Sequence, residues 1–163
     1  MAKKNKFETN AIHIGNKPDS STGSVSPPIN LTSTFAQDGI GKNKGFDYSR
    51  GTNPTRERLE KNIASLEGGY DAIAFASGMA ATTALFQSLK QGDHVIISRN
   101  VYGGTYRMTT QILSSHGLKF DFVDTTNIQN IKDAIKPETK WVFIETPTNP
   151  MLEITDIKAV SQI

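Results

Sequence analysis

The run Asp71-Ala72-Ile73-Ala74-Phe75-Ala76-Ser77-Gly78-Met79-Ala80-Ala81 joins an apolar stretch of strand length to small residues that open a helix. Residues 71–76 are short and mostly apolar, the texture of a strand buried on both faces. The helix that follows is expected to run to about Lys90, before Gln91-Gly92-Asp93. Downstream the alternation repeats. His94–Ser98, Lys119–Val123 and Lys140–Glu145 read as three more strands, and helices are predicted over Gly103–His116, Ile128–Ile135 and Thr155–Ile163. Upstream, Pro54–Glu67 reads as a helix capped by Asn53, with proline at its first position and Gly68-Gly69 as its stop. Leu59, Ile63 and Leu66 fall on one face of it, leaving Arg56, Glu57, Glu60 and Lys61 for solvent. Strands alternating with helices predict an α/β fold, a parallel, right-handed, three-layer sheet of four strands. Ligands of such sheets sit beyond the carboxyl ends of the strands.

Residues 1–53 differ in texture, being rich in Ser, Thr, Gly, Asn and Pro with almost no periodic apolar pattern. The expected division is therefore 1–53 and 54–163. Hydrophobic residues make up 36% of the 163 and charged residues 21%, a globular composition rather than a disordered or membrane one. Eighteen Lys and Arg face 16 Asp and Glu, and apart from Lys3, Lys4 and Lys6 the basic residues are dispersed. A surplus of +2 gives no electrostatic case for nucleic acid or an anionic membrane. Cysteine is absent, which removes disulfides, thiolate nucleophiles and Cys-based metal sites. The three histidines, His13, His94 and His116, show no metal-ligand spacing. No secretory h-region follows the N-terminal lysines, and no apolar run approaches the ~20 residues of a membrane span, so the expected compartment is the cytoplasm.

Three strand ends gather the candidates for chemistry. One leads into Ser77-Gly78-Met79, one into Asn100-Val101-Tyr102-Gly103-Gly104, and one to Glu145 before the loop holding Asn149. A strand feeding directly into a helix aims free backbone N–H groups and the positive dipole end outward, which suits a phosphate, and glycine lets the anion approach. A plain tight turn with small residues for packing accounts for the same letters. Tyr102 has a ring that could lie on a planar aromatic ligand, or could be an ordinary loop tyrosine. Tyr48 and Arg50 could meet a phosphate or carboxylate, although isolated arginines are usually solvated. The chain has no Gly-x-x-x-x-Gly-Lys loop, no Gly-x-Gly-x-x-Gly after a strand and no Gly-x-Ser-x-Gly elbow.

Taken together, six stretches resemble the Cys/Met-metabolism family of pyridoxal-phosphate enzymes in order and spacing. They are Thr9–Gly15, Pro27-Pro28-Ile29 with Ser33-Thr34-Phe35, Tyr48–Thr55, Ser77–Ala81, Tyr102–Thr105 and Glu145–Pro150. The resemblance implies the aspartate-aminotransferase (fold type I) architecture and pyridoxal 5′-phosphate as cofactor. It implies that Ser77 and the amides of Gly78 and Met79 hold the cofactor phosphate, and that Tyr102, the catalytic candidate, stacks on the pyridine ring. Asn149 would meet the phenolic oxygen, and Arg107 would lie near an amino-acid substrate. Tyr48 and Arg50 would reach the phosphate in a neighbouring subunit of a homo-oligomer, a dimer at least and usually a tetramer, with residues 1–53 as the arm onto that subunit. The implied chemistry is C–S bond formation or cleavage on cystathionine or homoserine-derived substrates.

The family's Schiff-base lysine stands in a Ser-x-x-Thr-Lys type segment, and none occurs among the 163 residues. Two readings follow. Either the chain is the N-terminal portion of a transsulfuration-type enzyme, inactive alone, or it is an inactive homologue that keeps a phosphate-binding shell and acts as a binding or interaction partner. Gly104 stands where methionine γ-lyases tend to carry cysteine, which argues against that member.

Overall fold

The structure, a computed structural model, describes residues 5–163; Lys3 and Lys4 lie outside the described residues. It divides into two compact units, one ending at Phe75 and one spanning Ala76–Ile163.

The first unit holds α1 (Phe7–His13) and α2 (Pro54–Glu67). The bounds of α2 are those predicted, for the predicted reasons. The Asn53 side chain accepts from Thr55 N–H at 2.8 Å, Pro54 opens the helix, and Gly68 closes it at φ 67°. Its apolar stripe, however, does not form a core. Leu59 is 54% and Ile63 43% exposed, and the buried residue of α2 is Ala64. Polar side chains make the contacts instead. The Asn62 amide lies 2.9–3.1 Å from the carbonyl oxygens of Asn10, Ala11 and Ile14, so it caps α1 from about fifty residues away. Glu60, expected in solvent, pairs with Arg56 at 3.3 Å and accepts the Ala74 N–H at 2.9 Å.

Residues 71–76 form no strand, so the expected four strands are three among the described residues. A strand needs a ladder partner, and none is found for this run among the described residues. Ile73 is accordingly 75% exposed.

The second unit is built on a parallel sheet of order β2-β1-β3, from β1 (His94–Ser98), β2 (Lys119–Val123) and β3 (Thr139–Phe143). All five residues of β1 are buried, as a strand flanked on both edges and covered on both faces must be. On one face Val95 and Ile97 meet Phe86, Val101 and Met108, with Phe120, Phe122, Trp141 and Phe143 packed around them. Phe86 belongs to α3 (Gly78–Phe86), which stops short of the expected Lys90 because the Ser88 and Leu89 amides turn back only three residues, to Leu85 and Phe86.

The bounds of β1 and β2 match expectation to the residue. β3 begins one residue early because Thr139 pairs with His94 across an irregularity that skips Lys140. It ends before Ile144 and Glu145 because the Glu145 N–H turns to the Ser98 hydroxyl at 3.2 Å. The helix predicted over 103–116 is helical throughout but changes pitch. It runs as α4 (Gly103–Arg107), a π-helical turn (Met108–Ile112) and a 3-10 turn (Leu113–His116). The hydroxyls of Thr109 and Thr110 bond back to carbonyls of Thr105 and Tyr106, and Ser114 to Thr109, which bends the regular ladder. α5 (Ile128–Ala134) stops one residue short, at an extended Ile135 two residues before Pro137. α6 is only Ile157–Val160, because Thr155 is buried in a hydroxyl contact and Asp156 becomes the cap.

His94 sits fully buried at the amino end of β1. Its Nδ1 meets Thr139 Oγ1 at 2.8 Å, and Nε2 faces Asp121 at 3.3 Å outside hydrogen-bonding alignment. Burial lowers its pKa, with the Lys136 charge adding to the effect and the Asp121 and Glu138 carboxylates opposing it. The unfolded chain therefore binds a proton below about 6.5 that the folded chain resists. Stability is expected to fall as pH drops through that value, and His94→Asn should flatten the fall, read from urea midpoints across the range. Asp121, lowered chiefly by its bond to Lys136, adds a separate loss only below 3.8.

Candidate cofactor site

At the carboxyl edge of the sheet, α3 begins with Ser77 as its cap, whose hydroxyl accepts the Ala80 N–H at 3.1 Å. The Ala81 N–H bonds to the Ser77 carbonyl. The amides of Gly78 and Met79 donate to nothing among the described residues, and they stand at the positive end of the helix dipole. A Cβ on Gly78 would meet no atom within 4 Å, and its φ is not left-handed. Neither packing nor backbone conformation within the unit calls for a glycine there.

Tyr102 precedes α4 and is 52% exposed. It lies against Gly104, where a Cβ would come within 2.5 Å of ring atom Cε1 and 3.0 Å of the Met79 sulfur. Tyr102, Gly104 and the 78–79 turn therefore meet on the same side of the sheet. The tyrosine can hold this pose only because residue 104 has no side chain.

Glu145, after β3, joins the remaining loop to this one. Its Oε2 accepts the Tyr102 N–H at 2.8 Å and its Oε1 accepts the Asn149 N–H at 3.3 Å. Asn149 itself is exposed. Arg107, at the end of α4, folds its guanidinium back toward Gly103, 3.4 Å from where a Cβ would stand. Tyr48 and Arg50 lie in the first unit, exposed, with the guanidinium 5.0 Å from the ring centroid in a cation–π contact. Tyr48 is fixed by a bridge to Thr34, and the flanking Ser49 hydroxyl donates to Thr32 O at 2.5 Å.

Sequence reasoning placed Glu145 at the strand end without giving it a task, and it passed over the hydroxyl chain beneath. Ser98, Thr125 and Thr155, all buried, link Oγ to Oγ at 3.0 and 2.7 Å. Arg99 straps the same edge, 3.1 Å from Asp124 and 2.6 Å from Glu153. The hydrogen bond to Glu153 raises the guanidinium's pKa and lowers that of the carboxyl. Polar residues just past adjacent parallel strands are the available signal, since those ends converge.

Residues 8–163 match the family described as Cys/Met metabolism PLP-dependent enzyme. The chain belongs to that family. It is 48% identical over 157 residues to a "Probable cystathionine gamma-synthase" of Herpetosiphon aurantiacus, covering 96% of this chain and 49% of that protein. It is 47% identical to a cystathionine β-lyase of Lactococcus lactis subsp. cremoris (96% and 41% covered) and 49% identical to human cystathionine γ-lyase (96% and 39%). Among solved structures it is similar to metB from Corynebacterium glutamicum, with a TM-score of 0.93 and 45% identity over 98% of this chain and 42% of the other. The chain thus spans less than half the length of the relatives it matches, and it shares their pyridoxal-phosphate-dependent fold. Near-equal identities to a synthase, a β-lyase and a γ-lyase leave the aligned portion without preference among the three.

The donors present fit a phosphorylated pyridine. Two amides without a partner among the described residues open α3, the space about the Gly78 Cα is free, and the half-exposed Tyr102 packs near the Met79 sulfur. No described helix is long and apolar enough to cross a membrane.

Proposed function

We propose that these 163 residues are the N-terminal portion of a pyridoxal-phosphate-dependent enzyme of sulfur amino-acid metabolism, of cystathionine γ-synthase or γ-lyase type. The lysine that carries the cofactor is not among them. The observation that supports this reading most is the pair of unbonded Gly78 and Met79 amides, with open space where a Gly78 Cβ would stand and the Tyr102–Gly104 turn packed near the Met79 sulfur. In this reading those two amides hold the phosphate, Ser77 keeps the helix end open by capping from its own side, and Tyr102 covers one face of the pyridine ring. Asn149 meets the phenolic oxygen, and Arg107 swings from Gly103 toward the amino-acid substrate.

When bound, the cofactor supplies the electron sink for making or breaking a C–S bond. The chain's own share is to hold the phosphate electrostatically and to fix the ring's orientation. Residues 1–53 act as an arm onto a neighbouring subunit of a cytoplasmic homo-oligomer, in which Tyr48 and Arg50 reach that subunit's phosphate. Residues 54–163 form the first half of the cofactor domain.

The purified chain mixed with pyridoxal 5′-phosphate is expected to show neither the visible absorbance of a lysine-bound cofactor nor C–S lyase or synthase turnover. Adding the part of a relative that lies beyond the matched region should restore both. Turnover by the chain alone would overturn the missing-lysine reading. A complex that stays colourless and inactive would favour a phosphate-binding or interaction protein instead.

A further inference from the structure

Tyr102 and Asn149 stand 47 positions apart on loops that follow different strands, yet one side chain touches both backbones. We propose that Glu145 is a positioning residue, its two carboxylate oxygens setting the separation between the ring and the amide that face the cofactor. This rests on the function proposed above.

Three observations support it. The carboxylate accepts from Tyr102 N–H through Oε2 at 2.8 Å and from Asn149 N–H through Oε1 at 3.3 Å, one oxygen to each loop. Its own backbone is anchored, because Glu145 N–H donates to Ser98 Oγ at 3.2 Å, and Ser98 belongs to the fully buried β1. The Asn149 loop is tied from behind as well. Thr148, 1% exposed, bonds to Glu153 through backbone and hydroxyl, and Thr155 N–H donates to Thr146 Oγ1 at 3.0 Å. The loop is thus rigid on the sheet side and is held toward Tyr102 by the carboxylate.

Charge-assisted bonds from a carboxylate to backbone amides are stronger than neutral ones. A glutamine offers one oxygen and one NH2 group, so it can accept from only one of the two loops. An alanine accepts from neither.

The test uses the 163-residue chain with two readouts, amide hydrogen exchange at Tyr102 and Asn149, and equilibrium dialysis with pyridoxal 5′-phosphate. Glu145→Gln should speed exchange at one of the two amides about tenfold and Glu145→Ala at both, and each should weaken cofactor binding by about tenfold, the effect of one lost interaction of ordinary strength. Ser98→Ala, which loosens one anchor of the Glu145 backbone but keeps both carboxylate bonds, should move both readouts in the same direction but by no more than about threefold. Unchanged exchange in Glu145→Gln and Glu145→Ala overturns the proposal, and so does an equal loss in Ser98→Ala. Faster exchange with undiminished cofactor affinity also overturns it. If the exchange pattern is as expected but the unaltered chain binds no pyridoxal 5′-phosphate, the link between the two loops is upheld and the proposed function falls.

Discussion

Phe86→Ala is expected to lower the unfolding free energy of the second unit by about 3–5 kcal/mol. The Phe86 side chain is 1% exposed, and its ring meets aromatics from both outer strands. The Trp141 ring stands edge-on at 5.5 Å, Phe143 is tilted at 5.5 Å and Phe120 is tilted at 6.1 Å between centroids. Truncation therefore removes the transfer energy of a benzyl group and three aromatic contacts of about 0.5–1.5 kcal/mol each. The cavity has little means to collapse, because the ladders to β1 hold β2 and β3 on either side. Against a typical total of about 5–15 kcal/mol the loss is large. Trp141 is the chain's single tryptophan and lines the site, so urea unfolding followed by its fluorescence reads the change. Phe86→Leu, which keeps most of the volume, should cost less than about 2 kcal/mol and remains measurable if the alanine variant does not fold. A loss under about 0.5 kcal/mol for alanine, the size of a surface substitution, would mean that this ring does not dock α3 on the sheet.

The parts of this fold that were legible in the sequence are those set by local pattern. α2 carries its own cap, its own proline and its own stop, and His94–Ser98 is a strand whose five residues are all buried. Features that depend on distant partners were not legible. α1 has no buried residue and no apolar stripe to announce it, and it is capped by Asn62, about fifty residues away in the sequence. Residues 71–76 have the composition of a buried strand, but composition does not supply a neighbour to pair with. The π-helical turn after α4 arises from hydroxyls bonding back to carbonyls, a competition that apolar periodicity does not register. At the candidate site, the ends of two true strands pointed to residues 102 and 149, whereas residues 77–79 were reached through a run that pairs with nothing among the described residues, on the strength of its small residues opening a helix. The carboxylate that links two of these loops was legible at its strand end, but its task was not. Its partners lie 43 residues before it and four after, and nothing local distinguishes it from a solvated glutamate.

Gly78→Asp is expected to weaken phosphate-directed binding by about a hundredfold while leaving the fold intact, and the two effects have the same cause. At the first position of α3 an aspartate lies at the positive end of the helix dipole, where a carboxylate is stabilising by about 0.3–1 kcal/mol. The backbone there is not left-handed, and a Cβ meets nothing within 4 Å, so the side chain enters without strain. The melting temperature should therefore hold or rise slightly. The same carboxylate, however, satisfies the amides that a phosphate would use and repels the phosphate across about 4 Å. That repulsion is worth about 1 kcal/mol per charge pair in water and about 4 kcal/mol near a protein surface. Affinity for pyridoxal 5′-phosphate should fall by about a hundredfold, whereas pyridoxal without the phosphate should bind the variant and the unaltered chain alike. Gly78→Ala, adding a methyl without charge, should fall between them. Equilibrium dialysis with the two ligands separates the cases. If residues 77–79 were only a tight turn packed with small side chains, the aspartate would change neither affinity, and equal binding of pyridoxal 5′-phosphate by variant and unaltered chain would remove the phosphate cradle. Loss of both ligands together with a lowered melting temperature would show that the open space before Gly78 is not open in solution.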